Sequence, residues 1–273
     1  MKTDRVTSRD NSLLRQVRAV RDGRVEELIF VEGLRLCEEA FRSRLVIEAV
    51  LASEELLRKE RAAVVIAELS SVAGRVASVS EKLLESVSYT KTPQGIIVLA
   101  RRPAASEARL TANLGASPLL VVLHQISNPV NVGAIVRTAE AAGASGVITT
   151  RNTSDPFSPK SLRGAMGSAF RLPIWSSADY ADIIQWCRKR AIVTICADVG
   201  ASDSYLDLDW TGPRALLLGP ESTGFTPEEL EAVDRRVSIP MKGEAESLNV
   251  SVAAGILLFE AARQRLHGGS TKL

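Results

Sequence analysis

The chain has 273 residues, 45% of them hydrophobic and 24% charged, with a formal net charge of +2. That length suits one large domain or two ordinary ones, and the composition is that of a soluble globular protein, not a disordered or fibrous one. No apolar run is long enough to span a membrane, and the opening MKTDRVTSRDNSLLRQ lacks a signal peptide's hydrophobic centre, so a bacterial-type cytoplasm is the default compartment.

In chain order, residues 1–24 carry Lys2, Arg5, Arg9, Arg15, Arg18, Arg21 and Arg24 against Asp4, Asp10 and Asp22. Residues 11–22 fit an amphipathic helix with Leu13, Leu14, Val17 and Val20 on or near one face. Its basic side is either a solvated face or a surface that lies along phosphates. Residues 28–31 read as a strand, 33–41 as a helix, 46–51 as a strand and 54–60 as a charged helix. A short apolar run follows at 63–67, then a helix at 81–86 and a strand at 95–100. This alternation predicts a small α/β domain over 1–103. Residues 101–118 carry Pro, Ala, Ser and Gly without clean periodicity, which places an interdomain linker at 104–117.

A second domain follows at 118–273. It opens with a strand at 119–123, broken at Ser127-Asn128-Pro129, and a helix from near Asn131 to Ala142 that ends at Gly143. A strand at 147–149 precedes a helix capped by Ser158-Pro159, and helix 178–190 sets Tyr180, Ile183, Ile184 and Cys187 on one face. A strand at 192–196 is followed by a buried strand at 215–218 that stops at Gly219-Pro220. Thr226, Pro227 and Glu229 make a capping box with proline at the first helical position. A short strand at 237–239 ends at Pro240. After a polar loop, Ser247 caps a helix so apolar over 248–262 that burial of most of it is expected. Two loops thus leave two strand ends carrying Gly219, Glu221, Gly224, Ser247 and Asn249, and in an α/β sheet that edge is where ligands sit.

Several chemistries lack their residues. Cys37, Cys187 and Cys196 have no metal-type spacing and read as reduced, mostly buried thiols. His124 and His267 are the only histidines; His124 ends a strand, where a lone histidine serves either catalysis or structure. No Cys/His cluster suggests a metal site. There is no G-x-G-x-x-G after a strand and no P-loop.

The segments LHQISNPVNVGAIVRTAEAAGASGVI, GPESTGF and IPMKGEAESLNVSVAAGILLFE stand in this order, each beside a strand. They closely resemble the three motifs of the SpoU (TrmH-like) family of S-adenosylmethionine-dependent RNA 2′-O-ribose methyltransferases. The resemblance is strong over about 119–266. In the first half, FVEGLRLCEEA and SVSYTKTPQGIIVLA resemble the ribosomal-protein-like substrate-binding domain that many of these enzymes carry. It implies an α/β fold: a C-terminal α/β-knot catalytic domain, trefoil-knotted with a mostly parallel sheet, behind a small N-terminal α/β RNA-binding domain. It also implies a homodimer without metal, acting on large-subunit ribosomal RNA, or alternatively on tRNA or as a peptide-antibiotic-resistance enzyme. A catalytically silent ribosome-assembly factor is the remaining alternative. Thr90, Lys91, Thr92, Gln94 and Gly95 would then form a loop able to face RNA.

By the same resemblance, Arg137, Asn131, Glu221, Ser247 and Asn249 are the catalytic set, and Leu218, Gly219, Ile239, Met241, Leu248 and Asn249 hold the donor, largely through main chain. A guanidinium is hardly ever a base, so Arg137 either has a strongly lowered pKa or stabilises the forming alkoxide while water takes the proton; the second is energetically favoured. Asn131 is expected in the loop at the helix start, and Glu221 either pairs with Asn131 or steers Arg137. His124 and Pro220 depart from the family pattern, which often has an acidic residue and Asn, Ser or Ala there.

Overall fold

The computed structural model describes residues 4–268. The chain forms two compact units, Met1–Pro103 with Phe157–Arg171, and Ala104–Pro156 with Leu172–Leu273. No helix among the described residues is long and apolar enough to cross a membrane.

The first unit holds β1 (Asp4–Val6), α1 (Ser12–Arg21), β2 (Leu28–Glu32), α2 (Leu34–Arg42), β3 (Ile47–Ser53), α3 (Glu60–Val72), β4 (Arg75–Val79), α4 (Glu81–Glu85) and β5 (Ile96–Arg101). Its sheet runs β1-β4-β3-β5-β2, with β1, β4 and β3 parallel and β5 antiparallel to both its neighbours. Asn11 caps α1 by accepting from the Leu13 amide at 2.9 Å. The apolar stripe Leu13, Leu14, Val17 and Val20 is buried against Phe30, Leu51, Val79 and Leu99.

The charged helix expected at 54–60 is instead a single 3₁₀ turn at Leu56–Arg58, and α3 absorbs the apolar run at 63–67. Two side chains hold that turn: Ser53 Oγ accepts from the Leu56 amide and Glu81 Oε1 from the Glu55 amide. Ala62, Val65, Ile66 and Leu69 then give α3 its buried face at helical spacing. The strands β1 and β4 had no expectation in the sequence reading. Parallel pairing of Asp4, Arg5 and Val6 with Ala77, Ser78 and Val79 makes them, a contact that local pattern does not encode.

The second unit holds α5 (Glu107–Thr111), β6 (Leu119–Leu123), α6 (Pro129–Ala141), β7 (Gly146–Thr150), β8 (Ile174–Ala178), α9 (Tyr180–Lys189), β9 (Val193–Ala197), β10 (Arg214–Leu218), α10 (Pro227–Ala232), β11 (Arg235–Val237) and α11 (Val250–Gly268). The helices α7 (Pro159–Ala165) and α8 (Ser168–Arg171), between β7 and β8, cluster with the first unit. The sheet is wholly parallel, ordered β11-β9-β10-β6-β7-β8. Its central strands read as near-continuous apolar runs, with every residue of β6 buried, while the edge strands β8 and β11 carry polar, partly exposed residues.

The stretch read as linker contains α5. Its Leu110 is fully buried, and a β-carbon at Gly146 would stand 2.1 Å from Leu110 Cδ1, so only glycine fits there. The capping box of α10 forms with both of its hydrogen bonds. The last helix differs from expectation. Asn249, not Ser247, accepts from the Ser251 amide and starts α11. Only Ala254, Leu257, Leu258 and Ala261 on it are buried, while Val252, Phe259 and Leu266 are more than half exposed. Arg265 fixes its far end by donating to the carbonyls of Ser117, Trp210 and Gly212.

Candidate active site

The carboxyl ends of β9, β10 and β11 surround a cleft of about 720 Å³. Position alone makes this the expected ligand site of an open α/β sheet. The loop after β10 supplies residues 219–222, Gly224 and Phe225, the loop after β11 supplies Ile239, Met241 and residues 246–249, and α6 contributes Asn128 and Asn131 from its first turn. Every residue expected to hold a donor lies on this cleft: Leu218, Gly219, Ile239, Met241, Leu248 and Asn249.

Of the expected catalytic residues, Asn131, Glu221, Ser247 and Asn249 line the cleft and Arg137 does not. Asn131 sits within α6, buried, because Asn128 takes the cap position and accepts from the Val130 amide at 3.0 Å; the expectation of a loop position is corrected accordingly. Its amide Nδ2 donates to Glu221 Oε1, and its Oδ1 accepts from Asn249 Nδ2 at 3.4 Å. Asn249 is oriented in turn by accepting from the Ser251 amide and hydroxyl at 2.9 and 2.6 Å. The three motif segments therefore meet in one hydrogen-bonded cluster. Arg137 stands on the exposed side of α6.

The cleft lining contains Asp198, Glu221 and Glu246 but no lysine or arginine. Apolar walls from Leu218, Phe225, Val237, Ile239 and Leu248 complete it. A ligand with an apolar heterocycle and a cationic centre fits this lining; a polyphosphate does not. Asp198, which follows β9 and accepts from Arg236 Nη2 at 2.5 Å, was missed by the sequence reading. So was Phe225. The rule that ligands sit beyond the carboxyl ends of strands could have flagged Asp198, and the GPESTGF segment, which Phe225 closes, could have flagged Phe225.

His124 is buried behind this cleft at the end of β6. Its Nε2 lies 2.8 Å from Glu229 Oε1 and its Nδ1 3.1 Å from Thr150 Oγ1. A carboxylate only accepts, so Nε2 carries the proton in the neutral ring and Nδ1 accepts from the Thr150 hydroxyl. Burial pushes the imidazole pKa down, and the neighbouring Glu229 carboxylate opposes that. No group of three or more residues able to hold a metal occurs among the described residues.

In the first unit, the loop expected to face RNA is tied down. Thr90 donates to Glu32 from its amide and hydroxyl, Gln94 Oε1 accepts from the Leu34 amide, and Gly95 adopts φ +82°. The basic leader is partly neutralised: Asp22 pairs with Arg21 and Arg24, and Arg5 with Glu54. Lys2 and the side chain of His267 lie outside the described residues.

A sequence profile of the SpoU rRNA Methylase family matches residues 118–259, and one of the MRM3-like substrate binding domain matches 13–98. The chain belongs to the SpoU rRNA methylase family. It is 32% identical over 199 residues to a 23S rRNA (uridine(2479)-2′-O)-methyltransferase of Streptomyces viridochromogenes, covering 71% of this chain and 69% of that one. It is 36% identical over 196 residues to a 23S rRNA (guanosine-2′-O-)-methyltransferase of Ralstonia nicotianae, covering 70% and 78%. Among solved structures, an AdoMet-bound rRNA methyltransferase from Sinorhizobium meliloti superposes with a TM-score of 0.84 at 29% identity, over 96% of this chain and 98% of that one. The fold of the second unit is accordingly the family's α/β knot.

Proposed function

We propose that this protein transfers a methyl group from S-adenosylmethionine to a ribose 2′-hydroxyl of large-subunit ribosomal RNA. The observation that carries the reading is the cleft itself, where three motif segments converge on the Asn131, Glu221 and Asn249 cluster. Family membership and relatives named for 23S rRNA 2′-O-methylation support it. The donor supplies a methyl on a sulfonium with a neutral thioether as leaving group. The carboxylates of the lining complement that positive charge, and the apolar walls with the main chain at Leu218, Gly219, Ile239, Met241 and Leu248 hold the nucleoside.

The chain's own residues then have two tasks: to place the 2′-oxygen in line at about 3–3.5 Å and to stabilise the charge it gains. Asn131, Glu221, Ser247 and Asn249 orient the substrate edge. Arg137 stabilises the forming alkoxide while water takes the proton. On its own chain Arg137 lies outside the cleft, so this role is assigned to a homodimer. Val130 and Arg137 are seven residues apart on α6, as Val252 and Phe259 are on α11, so each pair shares a helix face. The three apolar members are about half exposed. A second copy packed on these faces covers them and brings Arg137 to a cleft. The first unit, over 1–103, serves as the RNA-binding domain, and the ribosomal substrate implies a cytoplasmic location. Incubation with labelled donor and natural ribosomal RNA and tRNA tests the reading; donor binding without transfer to any of them favours the silent assembly factor instead.

A further inference from the structure

We infer that His124 is a positioning residue for the donor cleft, acting through the ring of Phe225. The inference rests on the reading of that cleft as the donor site. His124 does not line the cleft; Phe225 does. The two rings stack with centroids 5.5 Å apart and an interplanar angle of 10°. Phe225 in turn presses on Gly219: a β-carbon there would stand 2.5 Å from Phe225 Cε2. Gly219 is the first residue beyond β10 and lines the cleft. An unbroken line of contact therefore runs from the buried imidazole to the surface that meets the donor.

The residue is held from four directions, three of them at the imidazole. Thr150 of β7 binds Nδ1, Glu229 of α10 binds Nε2, Tyr180 of α9 packs at 4.7 Å between centroids, and the His124 amide donates to the Leu218 carbonyl at 2.9 Å. Tyr180 also donates its hydroxyl to the Glu229 carbonyl at 2.9 Å. Glu229 links the cluster to the loop, because its second oxygen accepts from the Thr226 amide, next to Phe225. The titratable groups facing this cluster are Glu229, Tyr180 and, on β9, Cys196; burial raises both the Tyr180 hydroxyl and the Cys196 thiol, so neither ionises near neutrality. Glu229 is thus the charge that His124 answers. Phe225 is half-buried against the core of the second unit, and Tyr180 meets its ring at a tilt of 51° with centroids 6.2 Å apart. The near-parallel stack on an imidazole bonded at both nitrogens fixes the plane of the ring.

Two substitutions separate the parts of this device. His124→Gln keeps a donor for Glu229 and removes the stacked ring; His124→Phe keeps a ring and leaves Glu229 and Thr150 without their partner. Donor dissociation constants are measured by calorimetry with S-adenosylmethionine, well below each variant's melting temperature, beside turnover at saturating donor and RNA. His124→Gln should weaken donor binding about threefold to tenfold, the range of a lost aromatic pair, and His124→Phe, whose ring remains but has lost both anchoring hydrogen bonds, measurably but by less, each with saturated turnover within about twofold of the parent. The chain has two histidines, so the His124→Gln spectrum assigns the His124 imidazole resonance. Donor saturation should move that resonance and its titration midpoint, since coupling between two sites is reciprocal. Unchanged donor affinity in folded variants, or a resonance that ignores the donor, overturns the inference while the parent's donor binding leaves the functional reading standing. A turnover loss at unchanged donor affinity also overturns it. A parent protein that binds no donor overturns both.

Discussion

Asn131→Asp tests the cluster at the centre of the cleft with the smallest possible change. The side chain keeps its shape, and its Oδ1 still accepts from Asn249 Nδ2. The other terminal atom, which donated to Glu221, becomes a second carboxylate oxygen facing the first. A hydrogen bond to a charged group is worth about 1.5–3 kcal/mol net. Glu221 is exposed, so solvent screening puts the expected loss at the low end. About 1.5 kcal/mol corresponds to roughly a tenfold fall in kcat/KM. Two facing carboxylates raise the pKa of one of them; below that raised pKa the pair holds a proton and the bond is remade. Loss should therefore be largest at pH 8 and shrink towards pH 5.5. Adding Glu221→Gln to Asn131→Asp exchanges donor and acceptor, and the double variant should recover most of the activity across that range. The assay is methyl transfer to ribosomal RNA, with melting temperature measured on the same preparations. Activity within twofold of the parent for Asn131→Asp, or a double variant no better than the worse single one, refutes the orienting role of this pair.

Arg137→Ala should lower turnover by roughly 10²–10³ with donor affinity nearly unchanged, and Arg137→Lys should rescue poorly because an ammonium does not reproduce the planar fork; a turnover assay beside donor calorimetry checks both. The proposed dimer predicts a dimeric mass for the parent in light scattering at micromolar protein and a monomeric one for Phe259→Asp, with activity lost alongside it. Burial pushes the Cys187 and Cys196 thiols up to about 12, and Cys37 is fully buried too; a disulfide-exchange reagent at pH 8 should find no fast-reacting thiol in the native protein and three after denaturation.

The central strands β6, β10 and β9 of the second unit were legible because they are largely apolar and the helix caps are spelled out, as at Thr226-Pro227-Glu228-Glu229, whereas the polar edge strand β8 gave no such pattern. The cleft-lining residues Leu218, Gly219, Ile239, Met241 and Leu248 came from the wording of the motifs, and only Leu218 and Gly219 also stand where a strand stops. What was missed depends on partners remote in sequence. The short strand β1 exists only through β4. Asn249 displaced Ser247 as the cap of α11 because its side chain reaches the Ser251 amide while also meeting Asn131. The expectation of a buried last helix failed because apolarity marks a surface to be covered without saying by what; Val252 and Phe259 are left exposed by this chain. Phe225 closes the GPESTGF segment but was not singled out, since its packing partner His124 lies about a hundred residues earlier in the chain.

Alkaline hydrolysis of the product RNA tests the central claim most directly. A 2′-O-methyl group removes the nucleophile that cleaves the adjacent phosphodiester, so a methylated ribose survives alkali as a dinucleotide. With purified protein, donor labelled in the methyl group and unmodified large-subunit ribosomal RNA, the account predicts label in one alkali-stable dinucleotide and none in mononucleotides. Label in a mononucleotide, which marks a methylated base, would contradict it, as would no transfer by a protein that binds the donor.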